Sequence, residues 1–256
     1  MRTVVVIPTY DEAGVIGATL DAVLREVPGT DVLVVDDNSP DGTAARVAEH
    51  PQFGERVHLL SRGGKDGIGA AYRSGFGWAL LREYDAIVQM DADLSHPPAR
   101  LPALLAALAH ADVAVGSRYT DGGGVRDWPL GRRAVSAAGN TYVRLVLGIQ
   151  VHDATAGFKA FRRDALESIG AVDSESNGYC FQIENTWRAS RLGLRITEVP
   201  IIFTDRTVGD SKMSGAIVRE ALLRVLTWRW RELIGRSSRT SQARLQDAPG
   251  RHDVAA

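Results

Sequence analysis

The stretch AIVQMDADLSHPP, residues 86–98, decides how the chain is read. Ala86 to Met90 is a short apolar run of the kind that forms a buried strand, and the carboxylates of Asp91 and Asp93 follow in a loop at its end. Two aspartates one residue apart can hold a hard divalent cation, which takes oxygen ligands. Such a cation bridges the phosphates of a nucleotide and stabilises charge on a departing diphosphate. D-x-D alone is a weak signal, because chance and helix capping both produce it. Directly after a buried strand, with His96, Pro97 and Pro98 opening a helix, it carries much more weight.

The flanking sequence repeats the arrangement. Strands are expected over 3–7, 32–35, 57–60, 86–90 and 113–115, alternating with helices over 13–27, 43–49, 69–82 and 101–109. Strands separated by helices imply an α/β fold, a mostly parallel sheet flanked by helices on both faces. Ligands of such sheets lie beyond the carboxyl ends of the strands, so the loops 8–12, 36–42, 91–98 and 116–124 should converge on one site. The second half is less regular. It offers helices over 132–147 and 179–192, a strand over 195–203 that contains Pro200, and a last helix over 218–234. The polar remainder reads as a disordered tail.

Composition narrows the classes. The 256 residues are 45% hydrophobic and 24% charged, which suits a folded domain with a sizeable core. Thirty basic against 31 acidic residues leave a formal charge of -1, without the basic excess of a general nucleic-acid binder. The lone Cys180 rules out an intramolecular disulfide and a cysteine zinc cluster, and its apolar neighbours make it a core residue. No apolar run approaches the roughly 18 residues that span a bilayer, and the run before Pro8 is too short for a signal peptide. The expected place is the cytoplasm.

Other loops carry weaker signals. Asp36 and Asp37 directly follow the second strand, and a carboxylate there can accept hydrogen bonds from a nucleoside; residues 38–43 are turn formers and read equally as a turn with a helix cap. After the first strand, Tyr10 is suited to pack on a base and Glu12 to accept from ribose or base. The run 63–69 (GGKDGIG) matches neither glycine-rich phosphate fingerprint and reads as a tight turn, from which Lys65 can reach an anion. Gly122 to Gly124 suit a mobile acceptor loop.

Taken in order, residues 8–12 (PTYDE), 36–43 (DDNSPDGT), 91–98 (DADLSHPP), 116–119 (GSRY), 153–161 (DATAGFKAF) and 178–184 (GYCFQIE) resemble the family-2 glycosyltransferases of the dolichol-phosphate mannose synthase type, over about residues 2–213, with actinobacterial polyprenol-phosphate mannose synthases as the nearest kind. The resemblance implies a GT-A fold, a GDP-mannose donor, a polyprenyl-phosphate acceptor, Mg²⁺ or Mn²⁺ as cofactor, and inversion at the anomeric carbon. It implies that Pro8, Tyr10, Glu12, Val35 and Asp37 bind the guanosine part and that Asp91, Ala92 and Asp93 meet the diphosphate and metal. Arg118, Arg206 and Lys212 would bind donor phosphates or sugar, and Arg132, Arg133 and Ser136 the acceptor phosphate. Asp93 and Arg118 are the implied catalytic pair. Ser95 stands where some members place a glutamine that ligates the metal; its hydroxyl is shorter and weaker. Glu184 has the place of a base that a phosphate nucleophile does not require.

These readings divide the chain into a catalytic domain (1–217), an amphipathic helix (218–235) and a tail (236–256). On a helical wheel Leu222, Leu223, Leu226, Trp230, Leu233 and Ile234 share one face, with Arg224 and Arg231 opposite. That pattern suits a helix lying on the inner face of the cell membrane, docking on a separate membrane-protein partner, or packing on the catalytic domain. The competing readings are a prenyl-phosphate transferase using a UDP-sugar and a catalytically silent nucleotide-sugar binder.

Overall fold

The computed structural model describes residues 1–174, 176, 178–205, 219, 221–232 and 234. The chain divides into two units, residues 1–212 and 213–256. In the first, four strand–helix repeats and a fifth strand run in chain order: β1 (Thr3–Thr9), α1 (Ile16–Glu26), β2 (Thr30–Asp36), α2 (Thr43–Ala48), β3 (Val57–Ser61), α3 (Ile68–Leu80), β4 (Ala86–Gln89), α4 (Leu101–Ala107) and β5 (Val113–Ser117). Then come β6 (Gly124–Arg126), α5 (Leu130–Leu147), β7 (Lys159–Arg162), α6 (Arg163–Ser168), α7 (Gly178–Arg191), β8 (Ile196–Pro200) and β9 (Ile202–Thr204).

The main sheet has seven strands in the order β3-β2-β1-β4-β7-β5-β8. All neighbours are parallel except that β7 runs antiparallel to both β4 and β5. Period-two alternation along the strands builds two cores. Val5, Ile7, Val32, Val34 and Val88 pack with Leu20, Leu101 and Leu104, while Val4, Val6, Leu33, Val35 and Ile87 pack with Tyr72, Phe76, Phe161 and Phe181. Burying each such side chain stabilises the fold by about 1.5–3 kcal/mol. Helix α3 lies close on its face of the sheet at Gly75, where a Cβ would collide with Val6 and Val35.

The expected strands and helices of the first half are present. The second half differs from expectation in three ways. Strand β7, with a fully buried lysine at its start, has no apolar run to announce it. The single strand expected over 195–203 is two strands that break at Ile201: β8 pairs with β5, and β9 pairs with β6 in a separate two-stranded sheet. Gly122 to Gly124, expected to be a mobile loop, form a tight turn into β6; a Cβ at Gly123 would sit 2.6 Å from the Ser117 carbonyl oxygen.

In the second unit, residues 221–232 are helical, with Leu223, Leu226 and Trp230 exposed. No described helix is long and apolar enough to cross a membrane. The expected tail over 236–256 lies outside the described residues, as do Arg206 and Lys212.

Candidate active site

The loops that leave the carboxyl ends of β1, β2 and β4 each contain a non-glycine residue with positive φ: Asp11 (61°), Asn38 (57°) and Leu94 (57°); Asp127 (61°), after β6, is a fourth. This backbone region is costly for side-chain-bearing residues and tends to gather at functional sites. Leu94 is the most informative, since it has no side-chain oxygen to offset the cost.

The D-x-D loop is held from several sides. The Tyr72 hydroxyl donates to Asp91 Oδ1 at 3.1 Å. Burial and the neighbouring Asp91 carboxylate push the Tyr72 phenol well above its ordinary value, so it stays a donor. The Asp91 amide donates to His96 Nδ1 at 3.1 Å, and the His96 ring stacks on Phe158 at 5.2 Å. Thr19 of α1 donates to the Ala92 carbonyl at 2.6 Å. Ala92 is buried, while Asp91 and Asp93 are half-buried. The Ser95 amide donates to Asp93 Oδ1 at 3.1 Å, whereas the buried Ser95 hydroxyl has no hydrogen-bond partner. Two partly open carboxylates suit Mg²⁺ or Mn²⁺, which bind through one or two carboxylates and leave positions for phosphate oxygens. Among the described residues no cluster of three or more His, Cys, Asp or Glu offers a closed metal cage, and a cation shared with a ligand's phosphates requires none.

The two aspartates at the end of β2 divide their roles. Asp36 accepts from Thr9 Oγ1 (2.9 Å), Ser39 Oγ (2.6 Å) and the Ser39 amide (3.0 Å), and so fixes the turn. Asp41 accepts from Thr43 and from the Ala13 amide, so residues 38–43 are a turn and helix cap. Asp37 instead faces Arg62, whose Nη1 donates to Oδ1 at 2.6 Å. Burial raises the Asp37 carboxyl above its ordinary value although the Arg62 charge pulls it down. The Lys65 ammonium lies 3.7 Å from the centre of the Tyr10 ring. Pro8 is half-buried, and the Glu12 amide donates to Thr43 Oγ1 at 3.0 Å. Val35 differs from its expected place against a nucleoside: its side chain is core, so only its backbone is available.

Arg118 is committed to a neighbour. Its Nε and Nη2 donate to Asp153 at 2.7 and 2.6 Å, its amide donates to the same carboxylate at 2.9 Å, and Nη2 also reaches Thr155. On α5, the Arg132 guanidinium stacks on Trp128 at 4.2 Å and donates to Asp205 at 2.6 Å. Tyr119 donates to Ser136 Oγ at 2.7 Å, and Arg133 is exposed. The helix begins at Leu130, after Pro129, without a side-chain cap, and an uncapped N-terminus with arginines in its first turn is suited to an anion. Past that end, Leu130, Ala134, Ala137, Ala138, Thr141 and Leu145 form one exposed stripe at helical spacing.

Glu184 cannot serve as an open base. Its carboxylate accepts from Ser174 and pairs with Arg188 on α7. Behind the site, the Lys159 ammonium is fully buried and donates to the Gln182 carbonyl at 2.8 Å; burial lowers its pKa to about 7. Sequence reasoning missed Tyr72, His96, Asp153 and Lys159 as supports of the site. The signal for Asp153 was present, since it opens one of the motifs.

A mostly parallel sheet with a D-x-D loop at its carboxyl edge is suited to a ligand that carries phosphates. The family model for glycosyl transferase family 2 matches residues 4–170, and the chain belongs to that family. It is 48% identical over 244 residues to an undecaprenyl-phosphate mannosyltransferase of Micrococcus luteus, covering 92% of this chain and 99% of the relative. It is 49% identical over 229 residues to a polyprenol monophosphomannose synthase of Mycolicibacterium smegmatis, covering 89% and 86%. Among solved structures, a glucosyl-3-phosphoglycerate synthase of Mycobacterium tuberculosis, in complex with Mn²⁺, UDP and glucosyl-3-phosphoglycerate, aligns with a TM-score of 0.65 and 22% identity, covering 89% of this chain and 79% of that one. The shared fold is the GT-A arrangement.

Proposed function

We propose that the protein transfers mannose from GDP-mannose to a polyprenyl phosphate, with inversion, releasing GDP and a polyprenyl β-mannosyl phosphate. The two relatives at 48% and 49% identity support the mannosyl and polyprenyl-phosphate parts of this reading. The observation that carries it on this chain is the start of α5, an uncapped helix end with Arg132 and Arg133 in its first turn; a different face of the same helix, with Leu130 and Leu145, is exposed. A phosphate with a long hydrocarbon tail needs an anion site that opens onto an apolar surface.

In this mechanism Asp91 and Asp93 would hold Mg²⁺ or Mn²⁺ beside the donor diphosphate; Ser95, with its unpartnered hydroxyl, stays in the proposed metal set. The cation supplies charge compensation for the leaving GDP. Pro8, Tyr10, Glu12, Asp37 and the Val35 backbone take the nucleoside. Arg118, its charge met by Asp153, lines the donor side of the pocket, and Arg206 and Lys212 would supply the positive charge for the donor phosphates. Arg132, Arg133 and Ser136 orient the acceptor phosphate. That phosphate is already anionic at neutral pH, so positioning and charge compensation replace a general base. The protein works peripherally at the inner membrane face through the α5 stripe and the helix around residues 221–232, whose leucines and Trp230 suit an interfacial position. The test is transfer of label to polyprenyl phosphate from GDP-mannose and from UDP-glucose. Transfer from GDP-mannose is expected; transfer from UDP-glucose alone overturns the donor assignment.

A further inference from the structure

Strand β9 brings an acid to the start of α5. Its last residue, Thr204, pairs with Arg126 of β6, and Asp205 follows directly. The Thr204 amide donates to the Ser95 carbonyl at 3.4 Å, and the Phe203 ring lies edge-on to His96 (5.5 Å) and to Trp128 (5.4 Å). The strand is thus tied both to the D-x-D loop and to the residues before α5, and just past its end Asp205 accepts from Arg132 Nη1 at 2.6 Å. This ion pair is incompletely matched. Among the described residues the buried Arg132 Nε–H has no acceptor, and neither has the buried Nε1–H of Trp128, on which the guanidinium stacks. Buried donors are rarely left in that state. Both members of the pair keep some surface, with side-chain exposures of 21% and 28%, so a ligand can reach them. Arg133 is exposed in the same turn of the helix.

We propose that Asp205 is a resident competitor at the acceptor site: its carboxylate holds Arg132 in the ligand-free protein, is displaced when the acceptor's phosphate arrives, and reclaims the arginine as the product leaves. The proposal rests on the reading of α5 as the acceptor site and adds a competitor to it. A phosphate monoester has three terminal oxygens and carries about 1.5 to 2 negative charges at neutral pH, against two oxygens and one charge on Asp205. It has an oxygen for each of Arg132 Nη1, Arg132 Nε and Trp128 Nε1, whereas the carboxylate serves only the first of the three. After transfer the phosphate is a diester with one charge and two free oxygens, so its hold on the same donors weakens. Asp205, tethered at the end of β9, then returns as an intramolecular ligand at high effective concentration. Such an exchange lowers the apparent affinity for any anion by the fraction of the site that Asp205 occupies, and so keeps product from staying bound.

The experiment is calorimetric titration of the full chain, in Mn²⁺ and GDP, with geranyl phosphate as a soluble short acceptor. Asp205→Asn keeps the size of the side chain and removes its charge; Asp205→Ala removes the competing oxygens as well. Both are expected to bind geranyl phosphate about 2- to 5-fold more tightly than the wild type, which is what a partly exposed ion pair can hold back. In turnover they should show a lower KM for polyprenyl phosphate and stronger inhibition by the product. Arg132→Gln should weaken binding, and adding Asp205→Asn to it should bring no gain, because the competitor acts through Arg132. An equal gain in the Arg132→Gln background would make the effect a general change of charge and overturn the proposal. Unchanged or weaker binding by both Asp205 variants would make Asp205 a structural partner that orients Arg132, and would overturn it too. If Arg132→Gln binds geranyl phosphate as the wild type does, the acceptor reading of α5 itself fails, an outcome read from a different variant.

Discussion

Replacing Asp153 with alanine should cost the fold more than any other single change near the site. Asp153 is fully buried and Arg118 has only 8% of its side chain exposed, so the 0–1 kcal/mol of a surface ion pair does not apply. The carboxylate accepts three hydrogen bonds from Arg118, at 2.9, 2.7 and 2.6 Å. Asp153→Ala leaves a guanidinium in a low-dielectric pocket among Tyr119, Trp128 and Phe203 without its counter-charge. Removing one partner of such a pair costs about 3–5 kcal/mol. For a domain of this size about 2–4 °C of Tm accompanies each kcal/mol, so the midpoint should fall by about 6–20 °C. Urea unfolding at neutral pH, followed by circular dichroism, measures the loss. Arg118→Met combined with Asp153→Leu should recover much of it, because an apolar pair removes both desolvation penalties. A loss below about 1 kcal/mol for Asp153→Ala would refute the reasoning and show that water reaches the pair.

Lys159 makes stability depend on pH in a defined direction. Its folded pKa is about 7 against an ordinary 10.5, so between those values the unfolded chain holds a proton that the folded chain lacks. Stability from this group therefore rises with pH across that window, by up to about 1.4 kcal/mol per unit, and Lys159→Met should lose that rise in urea titrations at pH 7.5 and 9. Asp93→Ala should abolish transfer and weaken Mn²⁺-dependent GDP binding while leaving the thermal midpoint within a few degrees, because a half-buried loop carboxylate contributes little packing; full turnover in EDTA would contradict it. Leu145, on the far end of the α5 stripe, is 78% exposed. Leu145→Glu should lower co-sedimentation with phosphatidylglycerol vesicles several-fold and leave GDP binding unchanged; unaltered sedimentation would remove the stripe from the membrane contact.

The β–α alternation of the first half was legible because each buried strand is a short apolar run between turn-forming residues. Asp91 and Asp93 were legible because carboxylates directly after such a run have few structural uses. The division of labour between Asp36 and Asp37 was not, since it depends on where Thr9, Ser39 and Arg62 arrive from other strands. Arg118 read as an open phosphate ligand because the sequence does not show Asp153, 35 residues later, folding back onto its fork. Strand β7 escaped notice because four residues beginning with a lysine carry no period. The lysine is tolerable there only because α7 supplies the Gln182 carbonyl. The break at Ile201 was signalled by Pro200, which cannot donate to a ladder, but the partner strand β6 is three residues long and has no signature of its own.

The antiparallel strand β7 also sets an order of assembly. It fills the gap between β4 and β5, and it leaves the ribosome about 70 residues after β4, roughly 4–14 s at ordinary synthesis rates. Until then the four parallel strands β3-β2-β1-β4 have an open edge at Ala86–Gln89, a fully buried apolar segment in the finished protein. An unpaired apolar edge of that kind invites pairing with another chain. A nascent chain stalled between Pro98 and Phe158 would carry the strands β1 to β4 together with a sticky seam, and its fate would depend on whether a chaperone reaches that seam before a second copy does.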